Sequence, residues 1–275
     1  MANCIDRLYL YTMTYDSGFA PNPFHGICTL ACCKPGIRRG VAEQAAEAIL
    51  EKEAHKHKKT NGHWKNGGRA AFLKEHSISD FSLASLIKAK LYNTEFVQSL
   101  NIWVAGLAGA VYADAGGVVY LMQVTDIFTF KEYWEAAKFQ CKQPNKAAYF
   151  SERGIDHGQA NKDFANCGDN IYEISENGVS QLPSFHRTGG DISLNGLGHL
   201  AGDLSGGYVL ASNNYVYYGE NARPIAFQPD NSRGHSIINS GPALAEFNMI
   251  AKDAILSGVL LGKPHNSHKD FEIPD

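Results

Sequence analysis

The densest group of side chains capable of chemistry lies between residues 16 and 39. A loop with two prolines and two glycines begins at Asp16, and it leads through three cysteines to Lys34, Arg38 and Arg39. Cationic side chains after such a constrained backbone can bind a phosphate group, and the planar fork of arginine suits the phosphate oxygens best. The spacing equally allows a solvated basic turn, so both interpretations stay open.

The same stretch offers four soft metal donors, His25, Cys28, Cys32 and Cys33. Structural zinc usually takes two separated ligand pairs, and adjacent residues on a strand point to opposite faces, so only one of the last two cysteines could ligate. We therefore predict buried core thiols and no metal site. A nucleophilic thiol remains an alternative, because nearby cations lower a thiol pKa. The six cysteines are expected to be reduced.

Histidines and carboxylates in the second half of the chain are candidates for proton transfer. His199 and Asp203 lie four residues apart, and a histidine with a carboxylate can serve as a general base and its orienting partner. The region around them, 140–200, is rich in Gly, Asn and Asp and is predicted to consist mostly of ordered loops. A surface or capping role is the alternative for each of these residues.

The elements that must position these residues follow from the hydrophobic periodicity. Aromatic and β-branched runs predict strands, and apolar residues spaced by three and four predict helices. The predicted strands cover 7–15, 27–33, 101–107, 117–124, 208–212 and 214–219. The predicted helices begin at 41 and recur at 70–75, 83–92, 130–139 and 243–260.

Strands and helices are segregated more than they alternate, which is typical of an α+β fold on a mainly antiparallel sheet. We expect a single domain over 1–275, with a helical insertion at about 41–98 and a C-terminal helix at about 243–260. The glycine-rich strand-to-helix turns of doubly wound folds and P-loops do not occur. Their absence argues against a nucleotide-binding fold of either kind.

Charge and composition narrow the function classes. With 25 basic and 28 acidic residues the formal net charge is −3, which excludes a chain-wide basic surface for duplex DNA. No apolar stretch reaches the roughly 18 residues of a membrane helix, and no signal peptide is visible, so we expect a soluble cytoplasmic protein. One basic run at 52–59, with Trp64 close by, could follow a nucleic-acid backbone, although a solvated helix face is the commoner structure.

Several motifs together resemble a known family. They begin with Asp16-Ser17-Gly18-Phe19-Ala20-Pro21-Asn22-Pro23-Phe24 and continue with Cys28-Thr29-Leu30-Ala31-Cys32-Cys33-Lys34-Pro35 and Ile37-Arg38-Arg39. This long stretch resembles the signature of the nucleotide modification associated domain 2 family. Shorter matches follow in the family's order at 121–125, 130–134, 168–172, 209–212 and 217–219. The strand-rich middle section resembles, more weakly, the PUA, ASCH and EVE barrels that hold a base.

The resemblance implies a nucleotide or modified-base ligand and a barrel-like, PUA-like sheet. It also implies a place in bacterial or phage systems that modify nucleic acid or defend against such modification. On this hypothesis an enzyme uses Asp16 or Asp169 as general acid or base, with His199 and Asp203 as further catalytic candidates. The sequence identifies no cofactor.

The ligand-binding candidates fall into three groups. Lys34, Arg38 and Arg39 would hold the phosphate. Four aromatic residues would hold the base, namely Tyr11, Phe24, Tyr133 and Trp134. Polar candidates within the matching motifs are Asn22, Thr29 and Asn170.

Two alternatives stay open beside the enzyme. A non-catalytic reader would use the same aromatic and cationic pocket to bind a modified base or a free nucleotide. The acidic net charge favours a free nucleotide or a short single strand over a long duplex as the ligand. In the other alternative the chain is a structural component that docks a protein partner through 41–98.

Overall fold

The computed structural model describes residues 5–110, 112–144, 168–182, 200–227, 234–254 and 258–266. The strands of this part of the chain are β1 (Arg7–Met13), β2 (Cys28–Leu30), β3 (Ile102–Ala108), β4 (Val118–Gln123), β5 (Asp126–Thr129), β6 (Tyr172–Ser175), β7 (Gly178–Gln181), β8 (Tyr208–Ser212), β9 (Tyr215–Tyr217), β10 (Ser236–Ile238) and β11 (Val259–Leu260). The helices are α1 (Pro35–Glu53), α2 (Gly68–His76), α3 (Leu83–Lys88), α4 (Thr94–Ser99), α5 (Phe130–Glu135) and α6 (Pro242–Ala254). Short 3₁₀ turns cover His55–His57 and Ala137–Lys142, and 200–204 is helical.

The largest sheet has six strands in the order β10-β1-β3-β4-β9-β11. β1 runs parallel to β3, and β11 parallel to β9, while the other neighbours are antiparallel. Every residue of β3 and β4 is buried, which is typical of central strands covered on both faces. Alternate residues of β1 divide between two cores: Tyr9 and Tyr11 face α1, whereas Leu8 and Leu10 face α6.

A second sheet continues from the first through bends in the chain. It has the antiparallel order β2-β8-β5, and β6 and β7 form a separate hairpin. The links β4–β5 and β8–β9 each pass from one sheet into the other within a few residues. The α+β class and the mainly antiparallel pairing are confirmed. The described strands form no closed barrel, and the PUA-like arrangement stays a prediction.

Helix α1 begins six residues before its predicted start at 41. Cys33 and Lys34 both have a positive φ, of 59° and 44°, which turns the chain sharply after β2. Pro35 then occupies the first helical turn, where proline is favoured because its missing N–H would have no partner there. The Lys34-Pro35-Gly36 sequence that resembles a break is therefore a helix start.

Helices α2, α3 and α4 pack beside α1 around a buried aromatic centre. The Phe72 ring is fully buried and lies 6.0 Å from the rings of both Trp64 and Phe81. Side chains cap two of these helices, Ser82 for α3 and Asn93 for α4. The Tyr92 hydroxyl donates to Asp126 and so attaches this helical region to β5.

Helix α6 is confirmed in place, although it ends at Ala254 rather than near 260. Phe247, Ile250 and Ala251 bury its apolar face against the six-stranded sheet. The hairpin β6–β7 lies inside a region predicted to be loops. In the part of the chain that the structure describes, no helix is long and apolar enough to cross a membrane.

Candidate functional site

The loop between β1 and β2 folds around Asp16. The Gly18 amide donates to the Asp16 Oδ1 atom over 3.0 Å, which closes a tight turn. Gly18 has φ +70°, and a Cβ there would lie 2.7 Å from the Phe24 ring, so only glycine fits. Asn22 and Thr29 then pair through two backbone hydrogen bonds and return the chain to β2.

The Asp16 carboxylate is 2% exposed and lies among tyrosines. The Tyr217 hydroxyl, from β9, donates to its Oδ2 atom over 2.6 Å. Burial raises the pKa of Asp16, and the hydrogen bond from Tyr217 opposes that rise only in part. A raised pKa favours the protonated form of the carboxyl group, which is the form that a general acid needs.

Tyr112 lies beside this carboxylate with a buried hydroxyl. Burial and the nearby Asp16 charge raise the pKa of Tyr112, yet its Oη atom has no hydrogen bond of standard geometry among the described residues. Its ring stacks on His265 at 4.2 Å between centroids. The Tyr112 hydroxyl interacts with the Asp16 carboxylate without standard hydrogen-bond geometry, so it retains the capacity to bind a ligand atom or water.

The residues that cover Asp16 come from the other end of the described chain. The Asp16 amide donates to Asn266 Oδ1 over 2.8 Å, and the Asn266 amide donates to the Asp16 carbonyl over 2.9 Å. The His265 amide lies 3.5 Å from Asp16 Oδ2. Segment 259–266 reaches this position because β11 pairs with β9, the strand that carries Tyr217.

Lys34 supplies a cation close to the tyrosine cluster. Its Nζ atom lies 4.4 Å from the centroid of the Tyr11 ring, and the Tyr120 hydroxyl donates to the Tyr11 hydroxyl over 3.0 Å. Partial burial lowers the pKa of Lys34. Its ammonium group makes no hydrogen bond or ion pair with the described residues, so its three donors are available to an anion.

Asp169 lies in a different network, in which both of its carboxylate oxygens accept hydrogen bonds. Thr29 Oγ1 donates to its Oδ2 atom over 2.7 Å, and the Tyr133 hydroxyl donates to its Oδ1 atom over 2.6 Å. Burial raises the pKa of Asp169, while the nearby Lys142 ammonium opposes the rise. Asn170 is structural in the same region, since its side chain donates to the carbonyls of Tyr133 and Phe139.

Lys142 holds the loop and this network together. Its buried ammonium lies within 3.0 Å of four oxygens, the carbonyls of Asn22, Phe24 and Ile27 and the Asn22 side chain. Burial lowers the pKa of Lys142 to about 8. These contacts orient the Asn22 amide so that its Nδ2 atom has no partner among the described residues.

Arg38 is fully buried and directs three of its five N–H donors to carbonyls of the protein, so its guanidinium is not accessible for the predicted phosphate contact. Its Nε, Nη1 and Nη2 atoms donate to the carbonyls of Cys33, Tyr208 and Asp203 over 2.6–2.9 Å. The Asp203 carboxylate accepts in turn from the Cys33 amide and the Tyr172 hydroxyl. Arg38 and Asp203 therefore fix the turn that precedes α1, and a phosphate or catalytic role for either is no longer part of our proposal.

The other predicted site residues are dispersed. Arg39 is exposed and donates to the Ser205 carbonyl. Phe24 is buried under the loop, and Trp134 lies on α5, where its carbonyl accepts from Gln140. His199 lies outside the described residues.

The cysteines of the first motif do not have the environment of a nucleophile. Cys28, Cys32 and Cys33 are free thiols, and burial raises the pKa of each, to about 11 for Cys33. Thiol pKa values above neutrality keep the group protonated and unreactive. Across the described ranges there is no group of three or more His, Cys, Asp and Glu side chains placed to hold a metal ion.

Sequence reasoning missed several residues that the fold brings to the loop. Tyr112, Tyr217 and His265 line the Asp16 carboxylate, and Lys142 orders its loop. Tyr217 lies in one of the motifs that carry the family resemblance, and this position in a motif is the sequence feature that could have identified it as a site residue. Lys142 has no distinctive neighbours in the sequence, and nothing in its spacing indicates burial.

The fold and the site define an α+β protein in which a buried carboxylate, a tyrosine cluster and a half-buried lysine surround one loop. The family model for nucleotide modification associated domain 2 matches residues 5–62 and 97–269, which is most of the chain. The chain belongs to this family. The two matched ranges are separated by 63–96, which lies within the predicted insertion and contains α2 and α3. Neither the curated proteins nor the solved structures include a match to this sequence.

Proposed function

We propose that this protein binds a nucleotide or a nucleobase beside the loop 16–34 and acts chemically on it, with Asp16 as general acid or base. The family assignment supports a role in nucleotide or nucleic-acid modification. The observation that carries the proposal is the buried Asp16 carboxylate, which has a raised pKa and lies beside the hydroxyls of Tyr217 and Tyr112.

The groups around Asp16 suit the parts of a nucleotide. Lys34 offers three free donors to a phosphate, and its position over the Tyr11 ring limits its mobility. The Tyr112 hydroxyl can donate to a base or sugar oxygen. Asp16 would then transfer a proton at a glycosidic or exocyclic position, which is the general acid–base chemistry that base-directed enzymes use.

A non-catalytic reader is the second candidate. The observation that favours it is that both Asp16 oxygens already accept hydrogen bonds within the protein, from Gly18 and Tyr217. A carboxylate held in this way can simply order a binding loop. Both candidates fit a system that modifies bacterial or phage nucleic acid or defends against such modification.

The test compares Asp16→Asn with Asp6→Asn, an exposed control just before the other end of β1. Each variant is incubated with the four ribonucleoside and deoxyribonucleoside monophosphates and with a short single strand that contains all four bases. Mass spectrometry detects any new product, and calorimetry measures binding. For an enzyme we expect Asp16→Asn to lower turnover by about 100-fold or more with little loss of affinity.

The reader hypothesis predicts binding by all variants and product from none. Turnover that is unchanged in Asp16→Asn would refute the catalytic role of Asp16. If no probe binds the unaltered protein, the proposal of a nucleotide ligand fails as a whole.

A further inference from the structure

A groove with a volume of about 450 Å³ lies between α1 and the segment that contains α2 and α3. Its α1 wall is formed by residues three and four apart, with Ala42 and Ala46 as the floor. Trp64 and Phe81 form the opposite wall, and both are partly exposed. The volume lies within the range of small-molecule sites, which run from roughly 300 to 1,000 Å³.

The shape of the groove suits a planar ring. Alanine side chains leave one wall flat, and the Trp64 and Phe81 rings, 5.3 Å apart, offer an aromatic surface on the other. The Arg69 guanidinium lies over this surface, 4.7 Å from the Phe81 centroid and 5.9 Å from the Trp64 centroid. Aromatic platforms next to cationic groups bind nucleobases by stacking, with little dependence on sequence.

Charged groups of both signs stand unpaired at the rim. Arg69 makes no hydrogen bond or ion pair with the described residues, and Arg39 uses only two of its five donors, both on the Ser205 carbonyl. Glu43 and Glu47, one turn apart on α1, are exposed and likewise have no ion-pair partner in the described part of the chain. An occupant that complements this rim carries an anionic group and also N–H donors.

We propose that this groove is a second binding site, for an amine-bearing nucleobase that carries a phosphate. The ring would stack between Ala46 and Trp64, Arg39 and Arg69 would hold the phosphate, and Glu43 or Glu47 would accept from the exocyclic amine. Most of the aromatic wall lies in the 63–96 segment, outside the family match. The α1 wall lies inside the family match, and the site does not depend on catalysis at Asp16.

The first experiment measures binding of adenosine monophosphate, uridine monophosphate and inorganic phosphate to the full chain by calorimetry. Arg69→Gln is compared with Lys74→Gln, which makes the same charge change at an exposed position of α2 outside the groove. We expect Arg69→Gln to weaken adenosine monophosphate binding at least tenfold and Lys74→Gln to leave it unchanged. Equal effects of the two variants would overturn the proposal.

The second experiment tests the acidic rim. Uracil has no exocyclic amine, so we expect uridine monophosphate to bind at least fivefold more weakly than adenosine monophosphate. The double variant Glu43→Gln, Glu47→Gln should reduce this preference, whereas Glu51→Gln, exposed on the same helix, should not. Equal affinities for the two nucleotides in the unaltered protein would overturn the role assigned to the carboxylates.

A third set of measurements separates this site from the Asp16 site. Trp64→Phe should abolish the fluorescence quenching caused by adenosine monophosphate, because Trp103 is fully buried in the sheet and Trp134 does not line the groove. Trp134→Phe is the matched control and should leave the quenching unchanged. Lys34→Met should leave quenching intact. If Lys34→Met removes all binding and Arg69→Gln removes none, the groove proposal fails while the proposed function survives. If Arg69→Gln removes all binding and Lys34→Met removes none, the groove proposal survives and nucleotide binding beside the loop 16–34 fails.

A comparison of ligand lengths identifies the source of the ligand. Tighter binding of a pentadeoxyadenylate than of the mononucleotide identifies a single strand as the ligand source, and equal binding identifies the free nucleotide.

Discussion

Asp16 and Asp169 lie in two regions of one interior, and their carboxylates have much in common. Both side chains are at most 2% exposed, both accept short hydrogen bonds from tyrosine hydroxyls, and burial raises the pKa of both. They differ in what surrounds them. Asp169 accepts from Thr29 and Tyr133 and lies within the field of the Lys142 ammonium, whereas no cation among the described residues lowers the pKa of Asp16.

A raised pKa in a buried carboxylate therefore does not by itself identify a site. Around Asp169 the Asn22 Nδ2 atom is the one buried side-chain group without a partner among the described residues, as expected of a network that stabilises structure. Beside Asp16 the Tyr112 hydroxyl interacts with the carboxylate without standard hydrogen-bond geometry, and the Lys34 ammonium is only half-buried. A half-buried cation with free donors, in the same loop as the carboxylate, distinguishes the region that is suited to a ligand.

The largest effect should come from removing the cation of the Asp169 region. Lys142→Met would leave four oxygens without their donor and Asp169 without its opposite charge. We expect the free energy of unfolding, measured by urea denaturation, to fall by about 3–5 kcal/mol. Lys131→Met, on the exposed face of α5, is the control and should change it by less than about 0.5 kcal/mol. A small effect at Lys142 would mean that the network is not structural.

Alkaline pH should change the contributions of the two regions to the free energy of unfolding in opposite directions. The Cys33 thiol, whose pKa is raised from 9.0 to about 11, and the Tyr217 hydroxyl, whose pKa is raised above 10.0, keep their protons in the folded chain after the unfolded chain has lost them. Deprotonation therefore favours unfolding, and stability should fall by about 2 kcal/mol or more between pH 9 and 11.

Lys142 acts in the opposite direction, because its pKa is lowered to about 8 and the folded chain releases the proton first. Its contribution to stability rises from pH 8 to the ordinary lysine value of 10.5. Thermal denaturation across pH 7–11 should thus show a steeper alkaline loss for Lys142→Met than for the unaltered protein. Parallel profiles for the two proteins would contradict the lowered pKa.

Within the Asp16 region, Tyr217→Phe should have a moderate effect. It removes the 2.6 Å donor to Asp16 Oδ2 and leaves this buried oxygen with the longer contact of 3.5 Å to the His265 amide. We expect a loss of about 1–3 kcal/mol in the free energy of unfolding. The same measurement on Tyr218→Phe, whose hydroxyl accepts from Arg223 at the edge of the sheet, provides a comparison. An unchanged stability would indicate that water replaces the lost hydroxyl.

The smallest effect on stability is expected for Tyr112→Phe. Its hydroxyl interacts with Asp16 without standard hydrogen-bond geometry, so its removal should lower the free energy of unfolding by less than about 1 kcal/mol. The same variant should reduce nucleotide affinity if this hydroxyl contacts the ligand. A large loss of stability would show that the hydroxyl already has a structural role.

The sequence predicts local structure better than it predicts partners. The central strands and α6 follow from periodicity, because their apolar residues repeat at two or at three and four residues. The start of α1 was missed because the left-handed backbone of Cys33 and Lys34 depends on Arg38 and Asp203, which lie far apart in the chain. Such a turn is fixed by tertiary contacts that no local pattern records.

The candidate site shows the same limit. The first motif predicted Asp16 and Lys34 as site residues, but it also predicted Arg38. Arginine is a common phosphate ligand, yet the Arg38 guanidinium is buried and donates to carbonyls of the protein itself. Residue type cannot reveal burial. Tyr112 and His265 come from separate parts of the chain and meet only because β11 pairs with β9.

The reciprocal pairing of Asp16 with Asn266 also has a consequence for biosynthesis. The two residues are 250 positions apart, so a ribosome that adds about 5–20 residues per second needs about 12–50 s to make the second after the first. During that interval Asp16 has emerged without its cover. The earliest part of the site to be translated is thus the last to be enclosed, and a nascent chain stalled before residue 259 would present an open Asp16 loop to the cell.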